Sequence, residues 1–365
     1  MLKLPSLIYA NKFLPTPLPP PGTFKNQTIL ITGGTSGLGL ATAIHFLTLG
    51  ASRVIITART PEKGASAKAE IEAKLKLNLK TQPRLAGQDG NESGLVGGGV
   101  VEVRILDMST FAGIKKFADE VKREVDTIDY VLLNAGVTKR VFGFGTGTEG
   151  WEETLAVNCL GTALLAILLL PWMKIAGRGR AHLAVVTSGL HRGVDISPGK
   201  FPQKDIFTFF NQEENWPKGR PDMYAISKLL IQYCVLEISK LAVDRDGNVQ
   251  VIVNPTCPGL VKTSLARDYR TNVIMSTAVD AFMTVIAKST EVGAVRLVVP
   301  ALTTKEENGK YISDSQSHED YLAVVQKNLL SPEGQKMQKM VWEEVLCILE
   351  QKVPEVRHIV NEAAA

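Results

Sequence analysis

The sequence predicts an α/β fold: a single doubly wound domain in which a seven-stranded parallel sheet is flanked by helices. Three observations carry this expectation. Short apolar runs alternate with helical stretches along residues 25–315, the pattern of strands joined by crossover helices. The first run leads directly into a glycine-rich turn and then a helix, as in dinucleotide-binding units. Tyr224 and Lys228 stand four residues apart, on one face of a helix, where a phenol and an ammonium ion can share in proton transfer.

At 365 residues the chain is long enough for two domains, yet an α/β sheet of about 250–300 residues commonly forms one. Hydrophobic residues make up 45% and charged residues 21%, as in ordinary globular proteins. A net charge of +4 and a pI near 8.7 are mildly basic, and no dense Lys/Arg block is interleaved with aromatics, so nucleic acid is not an expected partner. Cys159, Cys234, Cys257 and Cys347 form no C-x-x-C pair; they read as thiols of a reducing, cytoplasmic compartment. The histidines show no ligand spacing, so no metal is expected. Residues 1–24 lack the apolar core of a signal peptide, and their prolines imply an extended arm. That arm lies over the surface, touches a membrane weakly, or is a plain lead. The longest apolar run, 163–173, is too short to cross a bilayer.

Residues 26–32 form the first predicted strand. The turn behind it has the spacing Gly33-x-x-x-Gly37-x-Gly39. Gly33 permits the tight turn, Gly37 lets the backbone approach a phosphate, and Gly39 lets the helix at 40–49 pack close to the sheet. That helix then offers free N–H groups and a positive dipole end to a pyrophosphate. Residues 53–58 form the second strand. A site for NAD places an acid at its end, for the ribose 2′-hydroxyl; here Arg59 follows, with Lys63 beyond, and a guanidinium suits a 2′-phosphate. The expected cofactor is therefore NADP(H); the competing reading of Arg59 is a solvated arginine at a strand end.

A helix at 61–76 runs into a glycine-rich insertion, 77–99, without periodicity. The third strand, 100–106, ends at Asp107, whose carboxylate either meets an adenine amine or caps the helix after Ser109. The fourth, 130–133, closes on Asn134, Ala135 and Gly136, which let backbone and cofactor approach closely. The helices at 149–172, carrying Asn158, and 224–242 are apolar around most of their circumference. Surface helices are not, so the pair implies contact with a second subunit in a homodimer.

The fifth strand, 182–187, ends at Ser188. Carboxyl ends of strands face the ligand crevice in such sheets, which puts the Ser188 hydroxyl at the site. His191 either lines the pocket or is a plain loop histidine. Residues 193–222 hold Phe207, Phe209, Phe210 and Trp216 with little periodicity and read as a substrate-side loop or lid. The sixth strand, 249–254, precedes Cys257, Pro258, Gly259, Leu260, Val261, Lys262 and Thr263. A weakly patterned stretch, 265–276, reads as a second flap. Helices at 279–287 and 291–302 and a short strand within 309–313 complete the sheet. A C-terminal extension, 316–365, carries a helix at 331–349 packed on the body.

A free phenol titrates near pH 10, and a neighbouring ammonium pulls that value down toward the operating pH. Tyr-x-x-x-Lys alone occurs by chance on many surface helices. Here it stands in order with TGGTSGLG (32–39), Asn134-Ala135-Gly136, Asn158, Ser188 and Pro258-Gly259. With these residues the chain resembles the classical-type short-chain dehydrogenase/reductase family over about residues 25–315. GLHRG after Ser188 and GKYIS near 309 are similar to retinol-dehydrogenase-like members. The arm, the long insertion and the SPEGQKMQKMVWEE tail are similar to fungal secondary-metabolite reductases.

The resemblance implies a Rossmann-type domain that transfers hydride between NADP(H) and a carbonyl or alcohol carbon of a small molecule. It implies that Tyr224 protonates the developing alkoxide, that Lys228 lowers its pKa and bonds the nicotinamide ribose, and that Ser188 holds the carbonyl oxygen. Asn158 would hold a water linking Lys228 to solvent. Gly33, Thr35, Ser36, Gly37, Leu38 and Gly39 would border the pyrophosphate, with Arg59 and Lys63 at the 2′-phosphate. Asp107 would meet adenine; Asn134, with Ala135 and Gly136 beside it, the adjacent ribose; Val261 and Thr263 the carboxamide end. The expected substrate is a bulky apolar ketone, secondary alcohol or aldehyde, as for a ketoreductase of secondary metabolism, the alternative being a retinoid- or steroid-type alcohol. One departure is the 36 positions between Ser188 and Tyr224, wider than the family commonly shows. Two other classes share parts of the pattern. A catalytically silent NADP(H)-sensing scaffold would lack one of Asn158, Ser188, Tyr224 and Lys228. A methyltransferase binding S-adenosylmethionine would lack Tyr-x-x-x-Lys in register with Ser188.

Overall fold

The computed structural model describes residues 16–81, 98–219, 221–263, 265, 284, 286–313 and 317–364. Parts of the expected arm (1–15), insertion (82–97), and flap and following helix (266–283) lie outside them. The strands are β1 (Thr28–Ile31), β2 (Arg53–Ala58), β3 (Val100–Ile105), β4 (Tyr130–Leu133), β5 (Ala181–Val186), β6 (Val251–Cys257) and β7 (Ile312–Ser313). They pair in parallel in the order β3-β2-β1-β4-β5-β6-β7, the doubly wound sheet expected. Strands such as TILI and YVLL are unbroken apolar runs because both sheet faces are covered.

The helices are α1 (Gly37–Thr48), α2 (Pro61–Thr81), α3 (Phe111–Glu124), α4 (Glu153–Ala176), α5 (Ile206–Phe210), α6 (Met223–Leu241), α7 (Thr290–Val298), α8 (His318–Val324), α9 (Pro332–Glu350) and α10 (Glu355–Ala364). On one face of the sheet Phe24, Phe46, Ile71 and Leu297 form a core under α1, α2 and α7. On the other, a larger core gathers Phe117, Leu164, Leu230 and Val345 from α3, α4, α6 and α9. In α3 the buried residues Phe111, Ile114, Phe117, Ala118 and Val121 mark a single stripe at helical spacing.

Two expectations are corrected. Helix α4 starts at Glu153, not 149, because Glu149 and Gly150 take left-handed φ values of 55° and 87° and the Glu152 carboxylate caps the amides of Thr154 and Leu155. At 24 residues α4 is also long and apolar enough to cross a bilayer, but 94% of its apolar window is buried inside the fold. The apolar flanks of α4 and α6 are covered by their own chain. Helix α9 packs on α6, and α10 packs on both α4 and α6. Their all-round apolarity is therefore satisfied within one chain.

Residues 193–222 are not a bare loop. Val194, Phe201, Ile206, Phe207, Phe210 and Trp216 are buried in the larger core, with Phe209 left exposed. Glu344 of α9 reaches the Phe207 amide at 3.4 Å.

Candidate active site

Strand order reverses between β1 and β4, and ligands of doubly wound sheets bind at such a switch point. The glycine turn leaves β1 there. Gly33 and Gly37 take φ values of 67° and 55°, which favour glycine. A Cβ on Gly39 would lie 2.4 Å from the Gly33 carbonyl oxygen, so no side chain fits. Above Gly37, by contrast, a Cβ would meet nothing nearer than Thr263 at 3.9 Å. The turn is tied to β4: Thr32 Oγ1 accepts from the amides of Asn134 (3.0 Å) and Ala135 (3.1 Å). Asn134 Nδ2 donates to the carbonyls of Thr32 (3.0 Å) and Gly33 (3.3 Å).

Ser36 opens α1 without a side-chain cap and with no acid in the first turn, whereas Asp222, Ser289 and Ser331 cap α6, α7 and α9. Uncapped amides at a positive dipole end, under open space, fit a pyrophosphate. The segment carrying Val261 and Thr263 folds over this turn. The Lys262 amide donates to the Lys288 carbonyl and the Lys288 amide to the Leu260 carbonyl, and a Cβ on Gly293 would meet both Val261 (2.5 Å) and Leu38 (3.2 Å). Thr35 is half-buried and Ser36 exposed; Arg59 and Lys63 are exposed beside the end of β2. Asp107 Oδ1 accepts from the Ser109 amide (2.9 Å) and hydroxyl (2.7 Å), closing a turn ahead of α3 rather than capping the helix itself. Asn134 spends its amide hydrogens on the glycine turn, so only its oxygen remains for a ribose.

Ser188, at the end of β5, and Tyr224, in the first turn of α6, come together, with the Ser188 hydroxyl near enough to act on the Tyr224 phenol. Lys228 Nζ lies 5.6 Å from the Tyr224 ring centre and donates to the Val186 carbonyl at 2.7 Å. A Cβ on Gly136 would approach that Nζ to 3.6 Å, so β4, β5 and α6 converge on one point. Burial pushes the Tyr224 phenol well above its ordinary value, Cys257 adds to this, the Ser188 hydrogen bond opposes it, and Asp222 adds a little. Lys228 is not among the groups that shift it. Desolvation dominates, and the same burial brings Lys228 down to about 8, weakening its hold as a cation.

Asn158 Oδ1 accepts from the Val137 amide (2.8 Å) while Nδ2 donates to the Val137 carbonyl (2.8 Å) and Ser227 Oγ (3.1 Å). Both amide hydrogens are engaged, so its side chain braces the segment after Gly136 against α6. It sits in a π segment of α4, Ala156–Gly161, a distortion common at functional sites.

Sequence reasoning missed a second shell of contacts. His191 is fully buried and meets the Tyr321 hydroxyl of α8 at 2.9 Å. Tyr311 stacks on Tyr321 with ring centres 4.0 Å apart. Cys257 Sγ accepts from the amides of Gly189 and Gly259, both at 3.4 Å. GLHRG contains His191 and GKYIS contains Tyr311, but neither motif names a partner; His191 meets Tyr321 because the C-terminal extension folds back.

The KR domain family profile matches residues 27–174. A short-chain dehydrogenase/reductase of Aspergillus flavipes is 34% identical over 351 residues, covering 95% of this chain and 93% of that protein. Another from Phaeosphaeria nodorum is 33% identical, covering 94% and 92%. Among solved structures, a 3-oxoacyl (acyl-carrier-protein) reductase of Agrobacterium tumefaciens with NADP bound superposes with a TM-score of 0.52 at 18% identity. It covers 79% of this chain and 93% of that one, a likeness of fold.

Proposed function

The chain belongs to the short-chain dehydrogenase/reductase family, and from that premise we propose that it is an NADPH-dependent reductase of a ketone on a bulky, apolar small molecule, a ketoreductase of the secondary-metabolite kind. The observation that carries this reading is the meeting of Ser188, Tyr224 and Lys228 beside the glycine turn. Arg59 and Lys63, with no acid at the end of β2, and the NADP bound in the Agrobacterium reductase favour NADP(H).

When bound, NADPH supplies the hydride. Gly33, Thr35, Ser36, Gly37, Leu38 and Gly39 would line its pyrophosphate, and Arg59 and Lys63 would meet the 2′-phosphate. Asp107 would reach adenine with the carboxylate oxygen not used by Ser109. Asn134 Oδ1, Ala135, Gly136 and Lys228 would border the riboses, and Val261 and Thr263 the carboxamide. The Ser188 hydroxyl holds the substrate oxygen and stabilises charge as it develops there. Tyr224 keeps its proton at neutral pH, because burial raises its pKa, and donates it to that oxygen. Lys228, with a pKa of about 8, is mostly charged at neutral pH and stabilises the phenolate left behind. Val141, Phe144, Leu190 and Leu260 are exposed apolar side chains on the loops after β4, β5 and β6, which suits an apolar substrate.

Titrating the protein with NADPH and NADH by nicotinamide fluorescence, then following NADPH consumption across a panel of aromatic ketones and quinones, tests the reading. Tighter NADPH binding and consumption with at least one carbonyl are expected. Binding of neither nucleotide, or no consumption with any carbonyl, overturns it.

A further inference from the structure

We propose that His191 and Tyr321 are positioning residues for Ser188, which makes the C-terminal extension part of the active site; the proposal rests on the reductase reading above. Ser188 has two tasks, to bond Tyr224 and to hold a substrate oxygen, so its place must be set to within a fraction of an ångström. Its own carbonyl group is the anchor. That oxygen accepts from the His191 backbone amide at 3.1 Å and from His191 Nδ1.

The ring's protonation follows from this geometry. A carbonyl oxygen only accepts, so Nδ1 carries the proton. The ring is neutral, since burial lowers its pKa to about 3, and Nε2 is then a bare lone pair. The Tyr321 hydroxyl, 2.9 Å away, must be its donor. One tautomer satisfies both ends, and both residues are buried, at 0% and 2% exposure.

Tyr321 is held in turn. It stacks on Tyr311 at an interplanar angle of 10°, and Tyr311 lies beside Cys257. The Cys257 sulfur accepts from the amide of Gly189, the residue after Ser188. Tyr311 thus packs between the tyrosine that bonds His191 and the sulfur that holds the peptide group after Ser188. Asn328, in the same extension, donates to the carbonyls of His191 (2.8 Å) and Val194 (3.3 Å) and fixes the far end of the turn.

The test uses the full chain with NADPH and 9,10-phenanthrenequinone, and the variants His191→Leu, His191→Asn and Tyr321→Phe. Asparagine places an amide N–H near the position of Nδ1; leucine has no donor. Thermal melts and NADPH affinity report folding and the cofactor site. His191→Leu is expected to lower kcat about 10–100-fold in folded protein, with NADPH affinity nearly unchanged. His191→Asn is expected to recover most of that loss, and Tyr321→Phe to fall between. Folded His191→Leu with wild-type kcat, or His191→Asn no better than leucine, overturns the proposal. Should the wild type reduce no carbonyl, the reductase reading fails by itself. The positioning is then read from the Ser188 carbonyl ¹³C resonance. It is expected to move in His191→Leu and Tyr321→Phe and to return in His191→Asn; a resonance unmoved in His191→Leu overturns it.

Discussion

The two halves of the sheet hold their functional groups by different means. Around β1 and β4 the backbone does it: glycines at φ 67° and 55°, uncapped amides of α1, and peptide groups tied by Thr32 and Asn134. Around β5 and β6 side chains from distant segments do it. His191 meets Tyr321 across 130 positions and Asn328 across 137. A backbone cradle needs particular residues at fixed spacing, whereas a side-chain network needs only complementary groups that the fold brings together. The first is written in a motif and the second is not.

The comparison can be broken in order of expected effect. Tyr224→Phe removes the proton donor on the substrate side and should lower kcat about 10³-fold while leaving NADPH affinity intact; loss of both in fluorescence titration would mean that the halves are not separable. Val345→Asp puts a carboxylate into the core where α9 packs on α6, at 0% exposure, and should cost about 4 kcal/mol in urea unfolding. Gly39→Val drives a side chain into the Gly33 carbonyl and should weaken NADPH binding about 100-fold, roughly 2.7 kcal/mol, measured by the same titration. Arg59→Asp should cost about tenfold in NADPH over NADH preference, a surface electrostatic effect that shrinks with added salt.

A further test is pH. As pH rises through about 8, Lys228 loses its charge and the reduction rate should fall with it. Stability runs the other way. The folded value lies below the ordinary 10.5, so between about 8 and 10.5 the folded chain binds fewer protons than the unfolded one. The contribution of Lys228 therefore adds stability as pH rises across that window. A melting temperature of wild type relative to Lys228→Met that stays flat from pH 8 to 10 would refute it.

The strands, the glycine turn and the Ser188–Tyr224–Lys228 group were legible because each follows from a local pattern: apolar runs, glycine spacing, one helical turn. The direction of the Tyr224 shift was not, because it depends on how deeply α6 is buried. The roles of Asn134 and Asn158 were half legible. Their positions follow from the motif, but an amide's partners are set by what faces it across the crevice, here Gly33 and Val137. The apolar flanks of α4 and α6 were read as calling for a neighbour. They do have one, supplied by α9 and α10, whose amphipathic sequences do not announce where they dock.

The coverage of α6 by α9 has a consequence during synthesis. Helices α8, α9 and α10 leave the ribosome after every strand of the sheet, and domains acquire structure from the N-terminal side as the chain emerges. The glycine turn and its tie to Asn134 are complete once β4 is out. The grip on Ser188 waits for Tyr321 and Asn328, and the apolar flanks of α4 and α6 stay bare until α9 and α10 arrive. Until they do, the grip on Ser188 is missing and those flanks are uncovered, and that interval is when the chain most needs a chaperone.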